Sequence, residues 1–136
     1  MPISKAYVLK INLPANTKAG VPVQVNISTD PLQPDESYLL RNYLIVIKDI
    51  AVTSSPGVDY KLRFVKKDSK IVVETPPVST LVQNNPAKPN AFSGLPMTPR
   101  ALGVLPNEKL TIYAIPLADV GTATSHTAVA FVDEYV

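Results

Sequence analysis

Residues 58–75 read VDYKLRFVKKDSKIVVET, and this stretch decides the fold class. Apolar residues at every second position from Val58 to Phe64 share one face, and the charged residues between them share the other. Alternation with a period of two is typical of a half-buried β-strand. The polar run 66–70 predicts a short loop, and the apolar run 71–75 predicts a returning strand. The stretch therefore predicts a β-hairpin.

Similar segments extend along the chain on both sides of this hairpin. Alternating or fully apolar runs are separated by residues that favour turns, and such a pattern predicts a series of short strands. The predicted strands cover residues 7–13, 21–28, 41–52, 58–64, 71–75, 78–82, 101–105, 110–117 and 125–132. The turn-rich run 29–36 is expected to contain one short helical turn leading into Leu39 and Leu40.

The composition supports an all-β fold. The chain has 136 residues, with 14 Pro, 5 Gly, 46% hydrophobic and 18% charged residues, and we assign residues 1–136 to a single domain. Proline at this frequency interrupts helices and belongs in turns and at sheet edges. Long connections at 29–40 and 83–100 suit strands that cross between sheets. The sequence thus predicts an antiparallel β-sandwich of about eight strands in a single jelly roll, with an immunoglobulin-like sandwich as the alternative.

Few side chains are suited to catalysis. The chain has 0 Cys, which excludes thiolate nucleophiles and Cys-rich metal centres. His126 is the single imidazole, and its neighbour Ser125 points to the opposite face of a predicted strand, so the two do not form a nucleophile and base pair. The acidic residues lack calcium-loop spacing. We therefore predict no enzymatic activity, cofactor, metal or small-molecule substrate, and a small hydrolase using His126 is the enzymatic alternative.

Basic residues cluster on the predicted hairpin, at Lys61, Arg63, Lys66, Lys67 and Lys70. Strand alternation places the first two on the outer face, so we expect all five charges to share one exposed region. They are candidates for contact with anionic groups such as nucleic acid or lipid headgroups. The alternative is a solvated hairpin whose lysines prevent edge-to-edge aggregation. The net charge of +2 gives no wider sign of nucleic-acid binding.

The segment 83–100, QNNPAKPNAFSGLPMTPR, is a long Pro-rich loop with three apolar residues, Phe92, Leu95 and Met97. Loops of this length are uncommon in compact domains and are often functional. The three residues are candidate subunit-interface contacts, because a stiff loop loses little entropy when it docks on a neighbour. The alternative is that they pack on the chain's own core.

Three features together resemble a known family. They are the short strands that start close to Met1, the loop 83–100, and the late segments LPNEKLTIYAI (105–115) and HTAVAFV (126–132). The chain resembles small single jelly-roll capsid proteins of icosahedral viruses, especially those that infect archaea and thermophilic bacteria. The resemblance implies a virion structural protein that self-assembles into a capsid shell. Its partners would be further copies, other virion proteins and, weakly, genome or lipid headgroups.

Other roles and the location also follow as expectations. A capsid decoration or cement protein is an alternative, and a non-viral surface or appendage binding module is another. The resemblance implies a location in the virion. No apolar run has the length of a signal-peptide core or a membrane helix, so we expect assembly in the host cytoplasm. Proline restricts the unfolded chain, and its abundance predicts a heat-resistant protein.

Overall fold

The computed structural model describes residues 2–83, 91–92 and 101–136. Within these ranges the chain forms nine strands, one 3₁₀ helix and no α-helix, so the all-β prediction is confirmed. The strands are β1 (Ile3–Leu13), β2 (Val23–Gln24), β3 (Asn26–Ser28), β4 (Leu44–Ala51), β5 (Tyr60–Lys66), β6 (Ile71–Glu74), β7 (Leu102–Val104), β8 (Leu110–Pro116) and β9 (Thr124–Tyr135). The 3₁₀ helix spans Val78–Leu81.

The strands form two antiparallel sheets that pack into a sandwich. The five-stranded sheet has the order β3-β1-β9-β4-β7, and the four-stranded sheet has the order β2-β8-β5-β6. Early strands pair with late strands in a nested series: β1 with β9, β2 with β8, β4 with β7, and β5 with β6. This nesting is the jelly-roll order, and the two sheets of an immunoglobulin-like sandwich do not produce it. The jelly-roll prediction is therefore confirmed.

The core lies between the two sheets and follows from the alternation of apolar residues. Along β5 the inward residues Tyr60, Leu62 and Phe64 are fully buried, and the residues between them are only half-buried. On β1, Tyr7 is also buried, and from there to the end of the strand the inward positions stay buried. Full burial of each large apolar side chain contributes roughly 1.5–3 kcal/mol. The inward-facing positions therefore hold the sheets together.

The predicted strand 21–28 divides into two short strands that belong to different sheets. β2 pairs with β8 in one sheet, and β3 pairs with β1 in the other. Val25 lies between them, fully buried, and its N–H donates to the Ile112 carbonyl at 2.9 Å. The chain therefore passes from one sheet to the other at Val25. The apolar residues keep their alternation through this position, so the sequence pattern does not show the change of sheet.

Two further local predictions are wrong. The segment predicted as a strand at 78–82 is mainly a 3₁₀ helix, in which the Thr80 N–H donates to the Pro77 carbonyl at 3.0 Å. No helical turn precedes Leu39, which instead forms an antiparallel bridge with Leu110. A local hydrogen bond at 78–82 and a bridge to a distant strand at Leu39 therefore override the weak sequence patterns.

Strand directions place the connections at two ends of the sandwich. Lys66 at the end of β5 pairs with Leu110 at the start of β8, and Leu110 also bridges to Leu39. The turns 67–70 and 105–109 and the segment 37–43 therefore lie at the same end, which we name the hairpin end. The connections 14–22, 52–59 and 117–123 lie at the opposite end.

Candidate interaction surface at the hairpin end

A buried ion pair joins the two turns of the hairpin end. Lys66 Nζ lies 3.2 Å from Glu108 Oε1 and donates to the Gly103 carbonyl at 2.7 Å. The Glu108 carboxylate also accepts hydrogen bonds from the Ser69 hydroxyl and, at 3.1 Å, from the Leu105 N–H. Burial raises the pKa of Glu108, but these bonds outweigh it and hold the pKa below its ordinary value. The turns 67–70 and 105–109 are thus fixed against each other.

The expectation that all five basic residues of the hairpin share one exposed region is wrong. Only 7% of Lys66 is exposed, because it has the same parity on β5 as Phe64 and faces inward. Lys61 and Arg63 do lie on the outer face, but both bind Glu74, at 2.7 Å and 2.6 Å. These two bonds lower the pKa of Glu74. Three of the five predicted residues therefore have intramolecular carboxylate partners.

The exposed positive charge at this end comes from two of the predicted residues and one further lysine. Lys67 and Lys70 are exposed, and neither forms an ion pair with any residue that the structure describes. Lys109, which the sequence analysis did not select, is exposed beside them, and its Nζ lies 4.3 Å from the centroid of the Tyr38 ring. The contact that brings Lys109 to the hairpin joins residues 39 positions apart, so no local pattern signals it.

Apolar side chains are exposed on two of the loops at this end and at the start of β6. Leu105 is 58% exposed, Leu40 is 45% exposed and Ile71 is 41% exposed. The Asn107 N–H donates to the Arg41 carbonyl at 2.6 Å, which ties the turn 105–109 to the segment 37–43. The hairpin end therefore presents lysines and large apolar side chains on three connected loops.

The predicted subunit-interface loop is only partly described. Phe92 is 1% exposed, and its ring centroid lies 5.6 Å from that of Phe64. Phe92 therefore packs in the chain's own core, which is one of the two interpretations of this loop. Leu95 and Met97 lie outside the described residues.

His126 makes two polar contacts. Nδ1 lies 2.6 Å from the Tyr60 hydroxyl and Nε2 lies 2.9 Å from the Ser54 carbonyl oxygen. Because a carbonyl only accepts, Nε2 carries the proton and Nδ1 accepts from Tyr60. The Ser125 hydroxyl instead contacts Asn12 Oδ1 at 2.8 Å. The imidazole is thus bonded to Tyr60 and Ser54, and the neighbouring serine has a partner of its own.

A buried polar cluster connects the first strand to the last. The Tyr7 hydroxyl donates to Glu134 Oε2, and Lys5 Nζ lies 3.2 Å from Glu134 Oε1. Burial raises the pKa of Tyr7, and the neighbouring Glu134 carboxylate raises it further. Only 3% of Glu134 is exposed, so this carboxylate depends on its two partners. The cluster fixes β1 against β9 from inside the sandwich.

The sequence matches no protein-family model and no curated protein. In the described ranges, no group of three or more His, Asp or Glu side chains is placed to hold a metal ion. The same ranges contain no helix with the length and hydrophobicity needed to cross a bilayer. The exposed lysines and apolar side chains of the hairpin end make this end the candidate functional surface.

Proposed function

We propose that the protein is a non-enzymatic virion structural protein whose copies assemble into an icosahedral capsid shell. The observation that carries the proposal is the nested jelly-roll strand order, which viral capsid domains use. Lectin and cupin domains use the same architecture, and one fold hosts many functions. A shell subunit differs from these domains in the surfaces that contact its neighbours.

Exposed apolar side chains lie on several different sides of the sandwich. Leu32, in the turn after β3, is 88% exposed, and Val72, on the edge strand β6, is 57% exposed. Phe131 points outward from the centre of the five-stranded sheet and is 38% exposed, and Leu117 is 44% exposed at the opposite end. A subunit of a closed shell contacts neighbours on more than one side. These residues are therefore candidate subunit contacts.

The proposal is tested on the full chain by light scattering over a range of protein concentrations and by negative-stain electron microscopy. We expect rings or closed particles above a threshold concentration. Replacing Phe131 and Val72 together by Ser should raise that threshold, because both side chains lose the apolar area that a neighbour would bury. Tyr113→Ser, at a half-buried position on the outer face of the four-stranded sheet, is the control and should assemble as wild type does.

Two outcomes contradict the shell proposal. The first is a protein that stays monomeric at the highest soluble concentration, with no particles on the grid. The second is a protein that binds only to preformed shells made by a different protein, which indicates a decoration role. The His126→Ala variant distinguishes the shell proposal from the hydrolase alternative. A structural subunit should assemble without this imidazole, whereas a hydrolase that uses His126 should lose its activity.

A further inference from the structure

We propose that the hairpin end is a docking surface for an anionic lipid membrane. In this arrangement Lys67, Lys70 and Lys109 contact lipid phosphate groups, and Leu40 and Leu105 enter the headgroup region. The proposal rests on the charges and exposed side chains of this end and not on shell assembly. Either proposal can therefore fail without the other.

Among the residues that the structure describes, the lysines that lack a carboxylate partner all lie at this end. Within the ranges 2–83, 91–92 and 101–136, every lysine and arginine other than Lys67, Lys70 and Lys109 is paired with a carboxylate. The three exceptions lie on two turns that the Ser69 to Glu108 hydrogen bond holds together. Asp68 lies on the same turn as two of them and lowers the local net charge. The arrangement leaves an excess of ammonium groups on one small surface.

A second copy of the chain is a poor match for this surface. Two hairpin ends facing each other would bring like charges together, which is unfavourable. The opposite end offers Asp119, but Lys18 Nζ already lies 3.7 Å from that carboxylate. It also offers Asp59, whose carboxylate accepts a hydrogen bond from the Ser79 hydroxyl at 2.7 Å. The free lysines therefore match a separate anionic surface better than either end of another copy.

The exposed apolar residues favour a membrane over an acidic peptide. Leu40 and Leu105 are exposed on the two loops that also carry Tyr38 and Lys109, which contact each other. Lysine, tyrosine and aliphatic side chains together suit the headgroup boundary, where each apolar part is buried and each polar tip stays hydrated. A flat lipid surface can contact several loop tips at once. The combination of charge and apolar tips on connected loops thus fits a peripheral membrane contact.

The test is vesicle flotation of the purified full chain at a concentration where it is monomeric. One set of vesicles contains phosphatidylcholine alone, and the other contains phosphatidylcholine with phosphatidylserine. We expect flotation with the anionic vesicles only, and less of it as salt rises, because salt screens charges at the membrane surface. A lysine close to such a surface contributes about fivefold in affinity. The triple variant Lys67→Ser, Lys70→Ser, Lys109→Ser should therefore bind roughly 100-fold more weakly.

A matched control has the same net charge as the triple variant. Lys10, Lys18 and Lys48 are exposed and lie outside the loops of the hairpin end, so replacing them by Ser should leave most of the binding intact. Asp68→Asn should bind about fivefold more tightly, because it removes the acidic group beside the lysines.

Leu40→Ser combined with Leu105→Ser tests the apolar part of the surface. The double variant should weaken binding to anionic vesicles on the order of tenfold, with the salt dependence unchanged. Thermal unfolding of each variant confirms that it is folded. The proposal is overturned if wild type does not float with anionic vesicles at low salt, or if the two triple variants bind equally. It is also overturned if the lysines are needed for binding an acidic peptide while flotation is unaffected.

Discussion

Replacing Lys66 by Met should destabilise the protein strongly, although the residue lies in a run of lysines that looks solvent-exposed in sequence. The Lys66 and Glu108 side chains are 9% and 8% exposed. The substitution removes the ammonium group that neutralises this buried carboxylate and keeps a side chain of similar length. Removing one partner of a buried ion pair costs about 3–5 kcal/mol. Glu108 keeps its hydrogen bonds from the Ser69 hydroxyl and the Leu105 N–H. We therefore expect a loss of stability at the lower end of this range, about 3 kcal/mol.

Urea unfolding at pH 7, followed by circular dichroism, measures this loss of stability. For a chain of this length, 3 kcal/mol corresponds to a fall in the melting temperature of about 10 °C. Lys67→Met is the matched control. Lys67 is the next residue along the chain, and its ammonium group is exposed and has no ion-pair partner among the described residues. A surface substitution of this kind should change the stability by no more than about 0.5 kcal/mol.

The double variant Lys66→Met, Glu108→Gln completes the cycle. An uncharged amide removes the buried negative charge and still accepts from the Leu105 N–H, so most of the lost stability should return. The reasoning is refuted if Lys66→Met costs less than about 1 kcal/mol, the range of an exposed ion pair. It is also refuted if the change in the free energy of unfolding of the double variant equals the sum of the changes caused by Lys66→Met and Glu108→Gln alone.

Three further predictions follow from other parts of the structure. Phe92→Ala should cost about 3–5 kcal/mol in urea unfolding of the monomer, whereas a side chain that contacts only a neighbouring subunit would leave the monomer unchanged. Lys70 has φ of 55°, which disfavours side chains with a Cβ, so Lys70→Gly should raise the stability by about 0.5–1 kcal/mol. Bonds from Lys61 and Arg63 lower the pKa of Glu74 below its ordinary value. The stability that the ionised Glu74 contributes is therefore fully present above its unfolded-state pKa and is lost as the pH falls through the lower folded-state pKa. Glu74→Gln should show a smaller loss of stability on acidification, and an unchanged pH profile would contradict this.

The strand content and the sandwich were predictable because they depend on local alternation. β5 shows why: its buried and half-buried residues alternate without interruption from Tyr60 to Lys66. The long connections favoured the jelly-roll order in the sequence, but the assumption that crossing between sheets needs length was wrong. The connection 29–40 joins β3 and β4 within one sheet, whereas the crossing from β2 to β3 takes one residue. The division at Val25 was not predictable, because the same apolar alternation serves both sheets.

The candidate surface was only partly predictable. Lys67 and Lys70 were selected from the sequence because they belong to the cluster of basic residues on the predicted hairpin. The inward direction of Lys66 follows from its parity with Phe64, but the sequence gives no sign that Glu108 neutralises it. Lys109 was missed because it joins the hairpin only through a contact between two distant turns. Ion pairs between distant residues therefore determine which lysines lack a carboxylate partner, and the composition of the chain does not show these pairs.

The pairing of β1 with β9 has a consequence for how the protein folds during synthesis. The two strands pair along the whole of β1, and the partners Asn12 and Ser125 are 113 positions apart. At a translation rate of about 5–20 residues per second, the ribosome needs roughly 6–20 s to reach β9 after β1 has been made. During that interval β1 has only the short strand β3 as a neighbour in its sheet. Pairing over such distances gives a high contact order and slow folding. The five-stranded sheet therefore forms late, and until β9 has been made the apolar face of β1 must be shielded from water by other contacts.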